Sequence, residues 1–227
     1  MEKLSIIIPV YNEKKTVESV LRKLINLKFP IEKELIVVDD ASNDGTTEIL
    51  KKFDKQNLIK LIQHKHNKGK GAAIKTALRF ATGNIIAIQD ADTEYAPEDL
   101  IKLLQPILNK KTKIVYGSRF KNYQGRKDIF YFGNRILSLI TTILYFQRIT
   151  DMETCYKVFK KELLKDISLM SERFEIEAEL TAKFLKKKQK IIELPIRYSP
   201  RKRCEKKIRV KDGLVAFLTL LRCRFLK

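Results

Sequence analysis

The chain opens on a near-continuous run of β-branched and apolar residues, Leu4-Ser5-Ile6-Ile7-Ile8-Pro9-Val10. A run without polar alternation predicts a strand buried on both faces of a parallel sheet. Beyond the short loop Tyr11-Asn12-Glu13, apolar residues return at helical spacing (Val17, Val20, Leu21, Leu24, Ile25), predicting a helix of about three turns. The unit then repeats. Residues 34–40 predict a second strand ending in acids, and residues 41–45 supply turn and cap residues for a helix around 46–53. Residues 58–63 predict a third strand, 72–80 a helix, 84–88 a fourth strand, and Pro97-Glu98-Asp99 the start of another helix. Residues 113–117 predict a fifth strand. The alternation predicts an α/β fold, a mostly parallel Rossmann-like sheet with helices on both faces.

After Arg119 the pattern changes. A polar stretch leads into an apolar segment at 129–149, interrupted by Asn134, Arg135, Gln147 and Arg148. It is too polar for a membrane span, so an amphipathic helix or helix pair is expected, in the protein or in a membrane interface. Phe174-Glu175-Ile176-Glu177-Ala178 falls on a predicted helix whose Phe174, Ala178 and Leu185 face the core, and residues 191–198 predict a further strand. Residues 212–226 are apolar with flanking arginine and too short to span a bilayer, so they are expected to form an interfacial helix. No linker divides the chain, which predicts one domain with a distinct tail.

Charge changes the picture of that tail. Lys plus Arg number 47 against 27 acids, a net charge of +20, and residues 186–227 hold fifteen of the bases against Glu193, Glu205 and Asp212. Such an excess calls for an anionic partner. A nucleic acid is one candidate, but the chain carries no nucleic-acid motif and no aromatic residues interleaved in the basic run. An anionic lipid surface fits better. Cys155, Cys204 and Cys223 have no metal-ligand spacing, and with no leader at Met1-Glu2-Lys3 a reducing cytosolic compartment is expected.

The candidate chemistry lies at the strand ends. Asp90, Asp92 and Glu94 follow the fourth strand at alternate positions. An extended backbone would put all three carboxylates on one side, at the sheet edge where open α/β folds bind ligands. Clustered carboxylates repel unless a cation joins them, and a divalent cation carrying nucleotide phosphates is one such partner. An acidic polar loop is the plain alternative. Asn67-Lys68-Gly69-Lys70-Gly71 suits phosphate at a helix N-terminus, or is a glycine-rich turn with solvated lysines.

Together, Ile-Ile-Ile-Pro-Val-Tyr-Asn-Glu at 6–13, Val-Val-Asp-Asp-Ala-Ser-Asn-Asp-Gly-Thr at 37–46, Asn-Lys-Gly-Lys-Gly at 67–71 and Gln-Asp-Ala-Asp at 89–92 resemble a GT-A family 2 glycosyltransferase. Gly-Ser-Arg-Phe at 117–120, Asp-Met-Glu-Thr-Cys-Tyr-Lys at 151–157 and Phe-Glu-Ile-Glu at 174–177 are similar to the dolichyl-phosphate mannose or glucose synthase branch. The resemblance implies a nucleotide-sugar half at about 1–118, an acceptor half at about 119–200, and a basic loop with an interfacial helix at 201–227. It implies that Pro9, Tyr11, Glu13, Val38 and Asp40 wall the nucleoside. It gives Asp90 and Asp92, flanking Ala91, to Mg2+ or Mn2+, with Glu94 as a third ligand, and makes Asp92 catalytic. Arg119 and Arg135 would hold the phosphate of a polyprenyl phosphate acceptor, while Arg201 and Lys207 would close over the nucleotide sugar. Cys204 and Lys206 depart from the family's glycine and serine in that loop. The absence of Trp argues against a processive polysaccharide synthase. The activity implied is inverting transfer of a hexose, from a GDP-mannose or UDP-glucose type of donor, at the cytoplasmic face of a membrane. A saccharide acceptor, with Glu153 or Glu175 as base, is the alternative.

Overall fold

The computed structural model describes residues 2–121, 128–201, 207 and 209–226. Among these, β1 (Lys3–Val10), β2 (Glu32–Asp39), β3 (Lys60–Gln63), β4 (Ile85–Ile88), β5 (Ile114–Ser118), β6 (Lys157–Lys160) and β7 (Ile191–Pro195) form one sheet. Its order is β3-β2-β1-β4-β6-β5-β7. In β1, Ile7 lies opposite Ile36 of β2 and Ile88 of β4. Ile6, Ile7 and Ile8 are wholly enclosed, which is why the run shows no polar alternation.

The connecting helices are α1 (Val17–Asn26), α2 (Thr46–Lys55), α3 (Lys70–Phe80), α4 (Asp99–Leu108), α5 (Ile129–Tyr145), α6 (Ile176–Lys186) and α7 (Val210–Phe225). In α1 the buried residues Val17, Val20, Leu21 and Leu24 recur at helical spacing, so one stripe faces the sheet. From β1 the chain builds β2 and β3 to one side and β4 to the other. The carboxyl ends of β1 and β4 therefore diverge into a crevice, the usual ligand position in open α/β sheets.

One strand departs from simple alternation. β6 runs antiparallel between β4 and β5, pairing Ala87 with Val158 and Val115 with Val158 from its two sides. The sheet is thus mostly parallel, as expected, but β4 and β5 are not neighbours.

The 129–149 segment is a single helix. Asp128 caps it by accepting from the Tyr131 N–H at 2.9 Å, and Phe146 ends it with a positive φ of 57°. The tail helix α7 is docked: Ala216 and Leu220 are buried, and the Tyr145 hydroxyl donates to the Leu220 carbonyl at 2.8 Å. Its opposite side leaves Leu214, Leu218 and Phe225 exposed. Among the described residues no helix is long and apolar enough to cross a membrane.

Candidate active site

The crevice widens into a cleft of about 940 Å³ whose walls come from every part of the chain. Pro9, Tyr11, Glu13, Asp40, Asp90, Ala91, Asp92, Glu94, Arg119, Arg201 and Lys207 all line it, although up to 198 residues separate them. Val38 and Arg135 do not line it. Val38 is buried within β2 opposite Pro9, where it supports the wall from behind. Arg135 is exposed, its guanidinium 5.6 Å from the Phe120 ring centroid. Cys204 and Lys206 lie outside the described residues.

The acidic stretch is arranged differently from the extended geometry anticipated. β4 stops at Ile88, and residues beyond it turn, with the Asp92 carboxylate accepting from the Glu94 N–H at 3.0 Å. Mutual repulsion and two separate cations then divide the acids. Asp90 lies 2.7 Å from Lys70 Nζ, which also meets Glu177 at 2.7 Å. Asp92 instead meets Arg201 Nη2 at 2.7 Å, and Glu94 accepts from the Arg201 backbone N–H at 2.7 Å. Asp92 is only 6 % exposed, set into the cleft wall. Burial, then the neighbouring Asp90 and Glu94 carboxylates, push its pKa up to about 7 against the pull of Arg201.

Among the described residues no three Asp, Glu, His or Cys side chains are gathered as a metal cage. The donor set still fits a hard cation of the Mg2+ kind. Such ions take one or two carboxylates from the protein and complete their shell with water and substrate phosphates. Asp90 and Asp92 supply two oxygen donors one residue apart, and the crowding felt by Asp92 is the imbalance a cation relieves.

The glycine-rich segment serves packing. Gly69 has φ 101°, and a Cβ there would meet the Glu172 carbonyl oxygen at 2.4 Å; at Gly71 it would meet that of Ser171 at 2.7 Å. Only glycine lets the start of α3 lie against the backbone leading into α6. The N-terminal end of α3 does hold an anion, but it is the Asp40 carboxylate, which accepts from the N–H groups of Lys68 (2.9 Å) and Gly69 (2.7 Å). Lys70 is a half-buried bridge to Asp90 and Glu177 in the cleft wall.

On the far wall Arg119 is gripped by Asp151 through its backbone N–H (2.8 Å), Nε (2.8 Å) and Nη2 (2.7 Å). Asp151 is fully enclosed and also accepts no exposure from solvent, while its own N–H is held by Glu193 at 3.0 Å. Arg119 is thereby fixed in the cleft wall, over the Tyr198 ring at 5.3 Å. Glu153 and Phe174 also line the cleft. Burial first, then the Glu177 carboxylate, raise the Glu153 pKa to about 8. Glu175 does not line the cleft; its carboxylate accepts from the N–H groups of Glu172 and Arg173. Lys70, Asp151 and Glu177 lie within motifs the sequence singled out, but their pairings were not legible there, because the partners are 20 to 107 residues away.

Known proteins resemble this chain in sequence and in fold. Residues 5–168 match the model of glycosyl transferase family 2. A UDP-N-acetylglucosamine–dolichyl-phosphate N-acetylglucosaminyltransferase of Methanococcus voltae is 35% identical over 213 residues, covering 85% of this chain and 84% of that protein. A dolichol-phosphate mannosyltransferase of Pyrococcus furiosus is 28% identical over 92% of this chain and 60% of that protein. In three dimensions, glucosyl-3-phosphoglycerate synthase from Mycobacterium tuberculosis, crystallised with Mg2+ and UDP, superposes with a TM-score of 0.78 at 18% identity, covering 100% of this chain and 80% of that one. The fold is therefore GT-A, and the chain is a glycosyltransferase that belongs to glycosyl transferase family 2.

Proposed function

We propose that this enzyme moves a sugar from a nucleotide donor to a polyprenyl phosphate, with a divalent cation and with inversion at the anomeric carbon. The observation that carries the acceptor assignment is the construction of α5. Phe130 and Asn134 line the cleft, while Ile129, Phe132, Ile136, Leu139 and Ile143 form an outward stripe, each between 55 and 62 % exposed. A ridge of this kind suits the interfacial region of a membrane, from which a lipid phosphate would reach Arg119. The basic tail adds attraction to an anionic surface, about 1 kcal/mol per Lys or Arg close to it. The M. voltae and P. furiosus relatives, whose names give dolichyl phosphate as acceptor, support the same reading.

In the reaction, an acceptor phosphate oxygen attacks the anomeric carbon from the side opposite the diphosphate. The new C–O bond forms as the bond to the diphosphate oxygen breaks, and the nucleoside diphosphate leaves with that electron pair. The acceptor is already an anion and needs no strong base, so the chain supplies positioning and charge. Tyr11, Glu13 and Asp40 border the nucleoside end. Asp90 and Asp92 would hold the cation, with Glu94 beside them; when bound, it offsets charge growing on the leaving diphosphate. Arg119, locked by Asp151, would orient the acceptor phosphate, with Arg135 at the outer edge of its approach. Arg201 and Lys207 would face the diphosphate.

Purified protein incubated with labelled UDP-N-acetylglucosamine, UDP-glucose or GDP-mannose and polyprenyl phosphate vesicles tests this. Lipid-linked sugar that depends on Mn2+ or Mg2+ is expected; its absence with every donor would overturn the acceptor assignment. Glu153 favours a second reading, since a cleft carboxylate with its pKa near 8 is matched to base catalysis near neutral pH. That reading predicts transfer to a saccharide hydroxyl and its loss in Glu153→Gln.

A further inference from the structure

The acids at the nucleotide end of the cleft are neutralised from within the chain. Arg201 donates from Nη1 to both oxygens of Glu13 (3.0 and 3.3 Å) and from Nη2 to Asp92 (2.7 Å), and its Nε stands 3.8 Å from Glu94. Its backbone N–H holds Glu94 as well. Lys207 adds a second contact to Glu13 at 2.6 Å and bonds the Tyr11 and Asn12 carbonyls. One guanidinium thus sits among three carboxylates drawn from the loop after β1 and the turn after β4, the place where a cation carrying a diphosphate would have to enter. A divalent cation at Asp92 would stand close to the Arg201 guanidinium held there, and two positive groups at such a distance repel.

We propose that Arg201 is a positioning residue that acts as an internal counter-ion, and that its transfer from Asp92 and Glu13 to the diphosphate couples cation binding to nucleotide binding. This rests on the cation–nucleotide reading given above. Without nucleotide, a cation binds against the repulsion of the guanidinium or pushes it into water. With a diphosphate present, the displaced guanidinium gains phosphate oxygens, which match its planar fork. The cation gains a freed Asp92. Each ligand therefore tightens the other, and the coupling is reciprocal. The arrangement also keeps the carboxylates paired between turnovers.

Titration of the full chain with Mn2+, followed by electron paramagnetic resonance with and without UDP or GDP, tests the proposal without using turnover. In Arg201→Gln, Mn2+ alone should bind more tightly than in the unaltered chain, by about tenfold, and the factor by which nucleoside diphosphate tightens Mn2+ should shrink. Arg201→Lys keeps a cation that cannot reach three carboxylates, and should fall between the two. Mn2+ bound equally by all three chains, with an unchanged enhancement by UDP and GDP, would overturn the proposal while leaving the cation–nucleotide site standing. Mn2+ bound by none of them, with or without nucleotide, would overturn that site as well.

Discussion

At the strand ends, Glu13, Asp90, Asp92 and Glu94 each meet a cation supplied by a distant part of the chain, whereas along α5 the side chains of Ile129, Phe132, Ile136, Leu139 and Ile143 stand more than half exposed. The first region is polar, enclosed and partly balanced by lysine and arginine, with an excess of carboxylate left around Asp92. The second is apolar and open, with Arg224 of α7 over the Tyr145 and Phe146 rings at its end. Charge brought into low dielectric is costly unless it is paired, so a site meant to receive a cation and a diphosphate holds its acids against internal cations until they arrive. Apolar surface of such extent is kept exposed in water only where something apolar meets it. The two regions converge at Arg119, which is fixed by Asp151 on the polar side and looks toward α5 across the cleft.

The comparison breaks most severely at Asp92. Asp92→Ala should lower kcat by at least about 100-fold in steady-state assays. Its thermal unfolding should change little, since Arg201 retains Glu13 and Glu94. Arg119→Lys comes next. A lysine keeps the charge but loses the paired donors to Asp151, so kcat/KM for the acceptor should fall about tenfold or more, with the donor KM unchanged. A donor KM that moves equally would place Arg119 at the nucleotide end instead. On the ridge, Phe132→Asp with Ile136→Asp should weaken binding to anionic vesicles in a flotation assay, with little effect on Mn2+ or nucleoside diphosphate binding. Sensitivity of that binding to salt would report the tail's share.

The smallest expected effect is a pH dependence at Glu153. Its folded pKa of about 8 lies above the ordinary glutamate value of about 4.3, so between those limits the folded chain holds a proton that the unfolded chain releases. Stability from this group is full below the lower limit and declines as pH rises toward 8. Glu153→Gln should flatten the fall of unfolding free energy between pH 5 and 8, by at most about 1.4 kcal/mol per pH unit, and the fall of Tm with it. Parallel Tm curves for the two proteins would show that Glu153 ionises normally.

The two regions were not equally legible in the sequence. Strand ends of a parallel sheet are written in consecutive residues, so the run through Val10, the acids after Val38 and the Asp90-Ala91-Asp92 stretch could be placed directly. What surrounds them comes from contacts that sequence spacing does not encode. β6 is four residues long, its Lys157 is fully buried, and its pairing to β4 and β5 joins segments more than forty residues apart. A charged residue in a short strand reads as surface until the Met152 carbonyl, 2.7 Å from Nζ, and the Tyr116 ring are seen around it. Lys70 was visible beside two glycines as a base suited to phosphate, but neither the close backbone of Glu172 that calls for the glycines nor the pairing of the lysine with Asp90 and Glu177 in the cleft wall could be read there. The three alternating carboxylates were visible, but not the turn after Ile88 that divides them between two cations. The amphipathic α5 and α7 were anticipated as helices, while their packing on one another, which leaves an apolar side of each exposed, needed the folded chain.

The central claim is that the acids at the strand ends drive transfer of a sugar to a lipid phosphate. It is tested most directly by following label from a nucleotide sugar into polyprenyl phosphate in vesicles, comparing the unaltered chain with Asp92→Asn, each with and without Mn2+. The account predicts lipid-linked label only for the unaltered chain with Mn2+. Equal labelling by the Asp92→Asn chain, or labelling indifferent to Mn2+ and other divalent cations, would contradict it.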